Sequence, residues 1–96
     1  MSQAIEIVLF SGKPGVSADQ MMAAARRADV RISAFPGFVS RSFGHTEGGR
    51  YVDIVHWADK GSALAASETV MACPVCAEFF ALIDEGQMQM QHFEQG

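Results

Sequence analysis

The chain has 96 residues, 49% of them hydrophobic and only 19% charged, with a formal net charge of −4. That length fits one domain, read here as residues 1–96. With no basic cluster beyond Arg26-Arg27 the chain lacks the positive face that nucleic-acid binding needs, and no apolar run approaches the ~20 residues of a membrane span.

Ile5-Glu6-Ile7-Val8-Leu9-Phe10 reads as the first strand, β-branched and nearly continuous in apolar residues, closed by Ser11-Gly12-Lys13-Pro14-Gly15. Ser17 and Gln20 stand at capping-box spacing and start a helix. In it Met21, Ala25, Ala28 and Ile32 recur at helical intervals. Phe35-Pro36-Gly37 ends the segment, because the residue before proline leaves the α region. Phe38 to Gly44 is the second strand, His45 to Gly49 a hairpin loop, and Arg50 to Trp57 the third strand. Tight pairing around that loop sets Arg41 near Ile54 and Ser42 near Asp53. Asp59 is an N-cap for a helix through Ala63, Leu64, Ala66 and Val70, which Pro74 interrupts. The helix resumes with Cys76, Phe79, Phe80 and Ile83 on one stripe. Gln87 to Gln95 is the last strand, with Met88, Met90 and His92 on one face.

The order β-α-β-β-α-β predicts an α+β domain of ferredoxin-like type: a four-stranded antiparallel sheet with helices on one face. Strands one and three are apolar on both faces, and two helices cover only one. A second copy of the sheet is expected to cover the other. Low charge content and small size point the same way, since a chain this short hides only about 60–65% of its unfolded surface.

"FPGFVSRSFG", "YVDIVHWAD", "ALAAS" and "PVCAEFFALI", in this order, resemble the dimeric α+β barrel superfamily, in its antibiotic-biosynthesis-monooxygenase-like branch. The marks are Pro36-Gly37, Trp57, and Pro74 with Phe79, and the resemblance spans nearly the whole chain. It implies a homodimer whose sheets close into a barrel, and a pocket in each subunit between sheet and helices. Some members oxidise aromatic compounds with oxygen and no cofactor; others degrade haem. The haem-degrading pattern has an asparagine on the first strand, a tryptophan ending the third and a histidine on the second long helix. Trp57 matches; the first strand has no asparagine, and Ala66 and Ser67 stand where the histidine would fall.

Three histidines and one interrupting carboxylate are the candidates for chemistry. His92 shares a face with Met88 and Met90, and His56 adjoins Trp57; either is a candidate general base. Asp53 interrupts an apolar strand, so it is either a base or a hydrogen-bonded structural group, with Ser40, Ser42 or Arg41 as partners. His45 reads as a loop residue. Trp57, Phe38, Phe79, Phe80 and Met88 are expected to line a pocket that accepts a small aromatic or hydrophobic molecule. Cys73-Pro74-Val75-Cys76 is a CxxC: Cys73 can cap the restarted helix and Cys76 lies on the apolar stripe. Two cysteines and scattered histidines make no zinc set, and no flavin, nicotinamide or metal signature is present, so neither a cofactor nor a metal is expected. The expected protein is a cofactor-independent, monooxygenase-like homodimer. The alternatives are a non-catalytic ligand-binding or stress-response dimer and a thiol redox protein using Cys73 and Cys76. "MSQAIEIVLF" does not read as a signal peptide, which places the protein in the cytoplasm as an expectation.

Overall fold

The structure, a computed structural model, describes residues 3–96. Strand β1 (Ala4–Ser11) leads through a short loop to helix α1 (Ala18–Ile32), followed by the hairpin strands β2 (Phe38–His45) and β3 (Arg50–Trp57). Helix α2 (Lys60–Thr69) runs into a single 3₁₀ turn at Val70–Ala72, and α3 (Pro74–Phe80) starts afresh beyond it. A second 3₁₀ turn at Glu85–Gln87 delivers strand β4 (Gln89–Glu94). The sheet order is β2-β3-β1-β4, and every neighbouring pair is antiparallel. This is the ferredoxin-like α+β arrangement that the sequence predicts.

Local chemistry sets the helix starts. Ser17 Oγ accepts from the Gln20 backbone N–H at 3.1 Å, and Gln20 Oε1 accepts from the Ser17 N–H at 2.9 Å, closing the capping box. Asp59 Oδ1 accepts from the Ser62 N–H at 2.7 Å and so caps α2. Cys73 caps α3, with Pro74 in the first turn, where its missing N–H costs nothing.

Alternation on the strands sorts two faces. Tyr51, Asp53, Val55 and Trp57 of β3, with Ala4, Val8 and Phe10 of β1, turn toward the helices and are buried. The apolar stripe of α1, Met21, Ala25, Ala28 and Ile32, closes over them. Phe10 stacks on Tyr51 at 5.3 Å between ring centroids and meets Phe79 edge-on at 5.9 Å, which joins sheet and helices. The opposite face carries Ile5, Ile7, Val52 and Ile54 half-buried, with Leu9 38% and Phe93 43% exposed. Among the described residues nothing covers it.

The hairpin register differs from the sequence expectation by one residue. Arg41 pairs with Val55 and Ser42 with Ile54, because His45 lies opposite Tyr51 and Thr46 joins the ladder opposite Arg50, its N–H donating to Arg50 O at 2.9 Å, which leaves only residues 47–49 to turn the chain. A one-residue slip exchanges the faces of a strand, so Arg41 comes to the helix side, diagonal to Asp53, instead of beside Ile54. A bulge at Val39 then lets Phe38 face the helices as well, opposite Trp57.

Candidate functional site

A cavity of about 80 Å³ lies between the sheet and the segment from α2 to α3. Its floor is Val8, Phe10, Val55 and Trp57, and its roof is Ala66, Val70, Phe79 and Phe80. Met88 and Met90 stand at its edge and open onto an outer hollow of about 300 Å³, shared with Met71 and Glu85. At roughly 30 Å³ per water the inner chamber holds two or three waters; a single aromatic ring needs about 150 Å³. Room for a ring would need the methionines at the edge to move, and their unbranched side chains yield easily.

Besides Ser67, whose hydroxyl donates to Ala63 O, three side chains bring polar groups to these apolar walls. The first is Trp57, 2% exposed, whose Nε1–H is buried without a hydrogen-bond partner. It leans toward Glu6 and lowers that carboxyl's pKa slightly, short of hydrogen-bond geometry. An unmet buried donor is costly, on the order of 1–3 kcal/mol, and such groups call for an explanation.

The second is Asp53, 7% exposed. Arg41 grips it with two parallel bonds, Nε to Oδ1 at 2.8 Å and Nη2 to Oδ2 at 2.7 Å. The guanidinium is itself walled in: Nη1 donates to Ala25 O at 3.1 Å, reaches Asp29 at 3.4 Å, and its plane lies within 6 Å of the Phe43 and Phe79 rings. Burial pulls the pKa of Arg41 down, but its bonds and attraction to Asp53 outweigh that, and the net shift is upward. Arg41 thus supplies the hydrogen bond that the sequence left open among three partners.

The third is Glu6, directly across β1–β4 from His92, with His92 Nε2 3.0 Å from Glu6 Oε2. Burial raises the pKa of Glu6 above its ordinary value, against the pull of His92. Glu6 lines the cavity, whereas His92 stands behind it on the solvent side. Sequence reasoning passed over Glu6. The available signal was a lone charge inside an apolar strand, in phase with the inward residues Ala4, Val8 and Phe10.

Trp57, Phe79, Phe80 and Met88 come together at the cavity along with Asp53. Phe38 is not in the wall; it packs edge-on against Trp57 from outside, at 5.9 Å. His56 lies on the open face of the sheet, paired with Ile5 and Ser40, away from the cavity. Cys73 is half-buried at the start of α3 and Cys76 is buried in the core. The Cys76 N–H donates to Cys73 Sγ at 3.4 Å. Contact with the Cys76 thiol and N–H lowers the Cys73 pKa, while burial pushes Cys76 up to about 12. Among the described residues no three His, Cys, Asp or Glu side chains are grouped to hold a metal ion.

This architecture is shared with solved structures described as candidate antibiotic biosynthesis monooxygenases and as a cofactor-independent oxygenase, a likeness of fold that agrees with the sequence resemblance. SnoaB of Streptomyces nogalater, a cofactor-independent oxygenase, superposes with a TM-score of 0.83 over 100% of this chain and 95% of its own, at 16% identity. A candidate antibiotic biosynthesis monooxygenase from Bordetella bronchiseptica gives 0.81 over 100% and 99%, also at 16% identity. A conserved protein of Methanosarcina mazei gives 0.75 over 100% and 95%, at 12% identity. At such identities the likeness is one of fold. No protein-family model and no curated protein matches the sequence.

Proposed function

We propose that this chain is a homodimeric, cofactor-independent oxygenase that admits a small aromatic or hydrophobic compound to the cavity between sheet and helices. The observation that carries the reading is the partnerless Trp57 N–H inside an apolar chamber, one wall of which also bears a carboxylate with a raised pKa. A phenol or enolisable ketone supplies what that donor lacks: an oxygen that accepts the N–H, and a proton to give up. Loss of the proton leaves the electron pair on the compound. The dry walls keep the anion from water, and it donates electrons to dioxygen. For a phenol the balance is one dioxygen consumed, one oxygen atom retained in a quinone, and one molecule of water formed. SnoaB, described as a cofactor-independent oxygenase, lends this reading its chemistry by likeness of fold alone.

The homodimer is part of the proposal. Leu9 and Phe93 are exposed beside Ile5, Ile7 and Ile54 on the sheet face without helices, and a second copy laid sheet to sheet removes that surface from water. Oxygen-electrode measurements with phenols and hydroquinones test the activity. Uptake is expected without added flavin or metal, matched by a product carrying one more oxygen. No uptake across the panel, with such compounds still bound, supports instead a binding protein on the same scaffold. Thiol chemistry is a further reading, favoured by the half-buried Cys73 and its lowered pKa.

A further inference from the structure

The cavity holds two carboxylates in unlike circumstances. Asp53 is clamped by a bidentate guanidinium, which is charged at every pH the fold survives. A carboxylate so held has both oxygens engaged by the guanidinium. Glu6 has one hydrogen-bonded partner, the imidazole of His92. Its side chain is 14% exposed and that of His92 is 21% exposed, so the pair leads from the chamber wall toward water. From β3 come Asp53, paired with Arg41 of β2 yet still raising the Glu6 pKa by its charge, and the Trp57 N–H; the helices and the turn after α2 add no charged group, only Ile32, Ala66, Ser67, Val70, Phe79 and Phe80.

We infer that Glu6 is the catalytic residue that takes the proton from the bound compound, and that His92 is the positioning residue that holds the Glu6 carboxylate and sets how strongly it binds that proton. The inference rests on the cavity being the substrate site, as proposed above. A C–H or O–H proton moves to a Glu6 carboxylate oxygen. The electron pair remains on the compound as an enolate or phenolate, with its oxygen against Trp57 Nε1–H. The Glu6 carboxylic acid then gives its proton to water at the cavity edge, where its side chain is 14% exposed. Nothing is oxidised in this step, and dioxygen enters only afterwards. Burial makes Glu6 a stronger base than an exposed carboxylate, and the charge of His92 sets how much stronger.

Two measurements on the full-length protein test this: a carbon-13 NMR titration of its glutamate carboxyls, and oxygen uptake with hydroquinone and a panel of phenols. In the titration one carboxyl, absent from Glu6→Gln, is expected to titrate above all the others. In His92→Gln, which keeps a donor and loses the charge, that carboxyl titrates higher still. Turnover in Glu6→Gln is expected to fall at least ~100-fold with KM little changed. In His92→Gln the acid limb of the rate profile moves to higher pH while the plateau survives. A Glu6 carboxyl titrating among the others, or Glu6→Gln retaining more than a tenth of turnover, overturns the inference and leaves the oxygenase reading standing. If the wild-type protein takes up no oxygen, the oxygenase reading fails. The titration then decides the Glu6–His92 pairing: an ordinary Glu6, unmoved by His92→Gln, rejects it.

Discussion

Asp53, Arg41 and Glu6 carry the largest consequences for stability at single positions. Removing Asp53 as Asp53→Ala strands a guanidinium whose side chain is 4% exposed, and breaking a buried pair in this way costs about 3–5 kcal/mol. Urea denaturation is expected to report that loss. The double replacement Arg41→Met with Asp53→Leu is expected to lose much less than the two single losses combined, because neither charge is left behind. Glu6 acts in the opposite sense. Its folded pKa lies above the unfolded value near 4.5, so its contribution is fully present below that pH and is lost as pH rises through the folded pKa. At neutral pH, Glu6→Gln is therefore expected to be more stable than the parent in thermal unfolding, with the difference closing toward pH 4.5. The thiols separate as clearly. Native protein is expected to alkylate at Cys73 alone, and Cys76, buried and shifted up to about 12, to label only after unfolding, by mass spectrometry of timed samples.

At the scale of elements, the connection from α1 to β2 is the tightest point. Gly37 has φ +82°, and a Cβ there would drive into the Ser62 side chain at the start of α2. Its carbonyl also accepts from the Ala58 N–H at 2.6 Å, tying the strand entry to the strand exit. Gly37→Ala is expected to cost at least ~1–3 kcal/mol in thermal denaturation, part of it recovered by adding Ser62→Gly. Element identity was readable from sequence because it depends on local rules: the caps Ser17 and Asp59, the break at Pro74, the alternation in Arg50–Trp57. The partner of Asp53 was not, because it hinges on one residue of register. That register is set by how many residues of the loop join the ladder, and the bulge at Val39 leaves no local signature. Glu6 was missed for a related reason. Its importance comes from His92, 86 positions away, and only the β1–β4 pairing brings the two together.

For the whole molecule, the governing fact is that the helices shield one side of the sheet. The sequence carried that asymmetry openly, in apolar residues at both phases of β1 and β3. The small size of the cavity was not legible, since it depends on side-chain volumes summed across both layers. Replacing Leu9 and Phe93 together by lysine is expected to yield monomers in size-exclusion chromatography without altering the cavity walls, because both side chains point away from the helices. Among the described residues no single helix is long and apolar enough to cross a membrane.

Met71, Met88 and Met90 are exposed around the outer hollow, so this approach to the chamber is bordered by thioethers. Under the oxygenase reading proposed above, peroxide escaping from a misfired turnover would meet sulfur before it met bulk water. Each sulfoxide formed there turns a greasy, pliant rim into a polar and stiffer one. The entrance would then record the protein's own working history, turning away oily guests as damage accumulates and readmitting them once a reductase restores the sulfur.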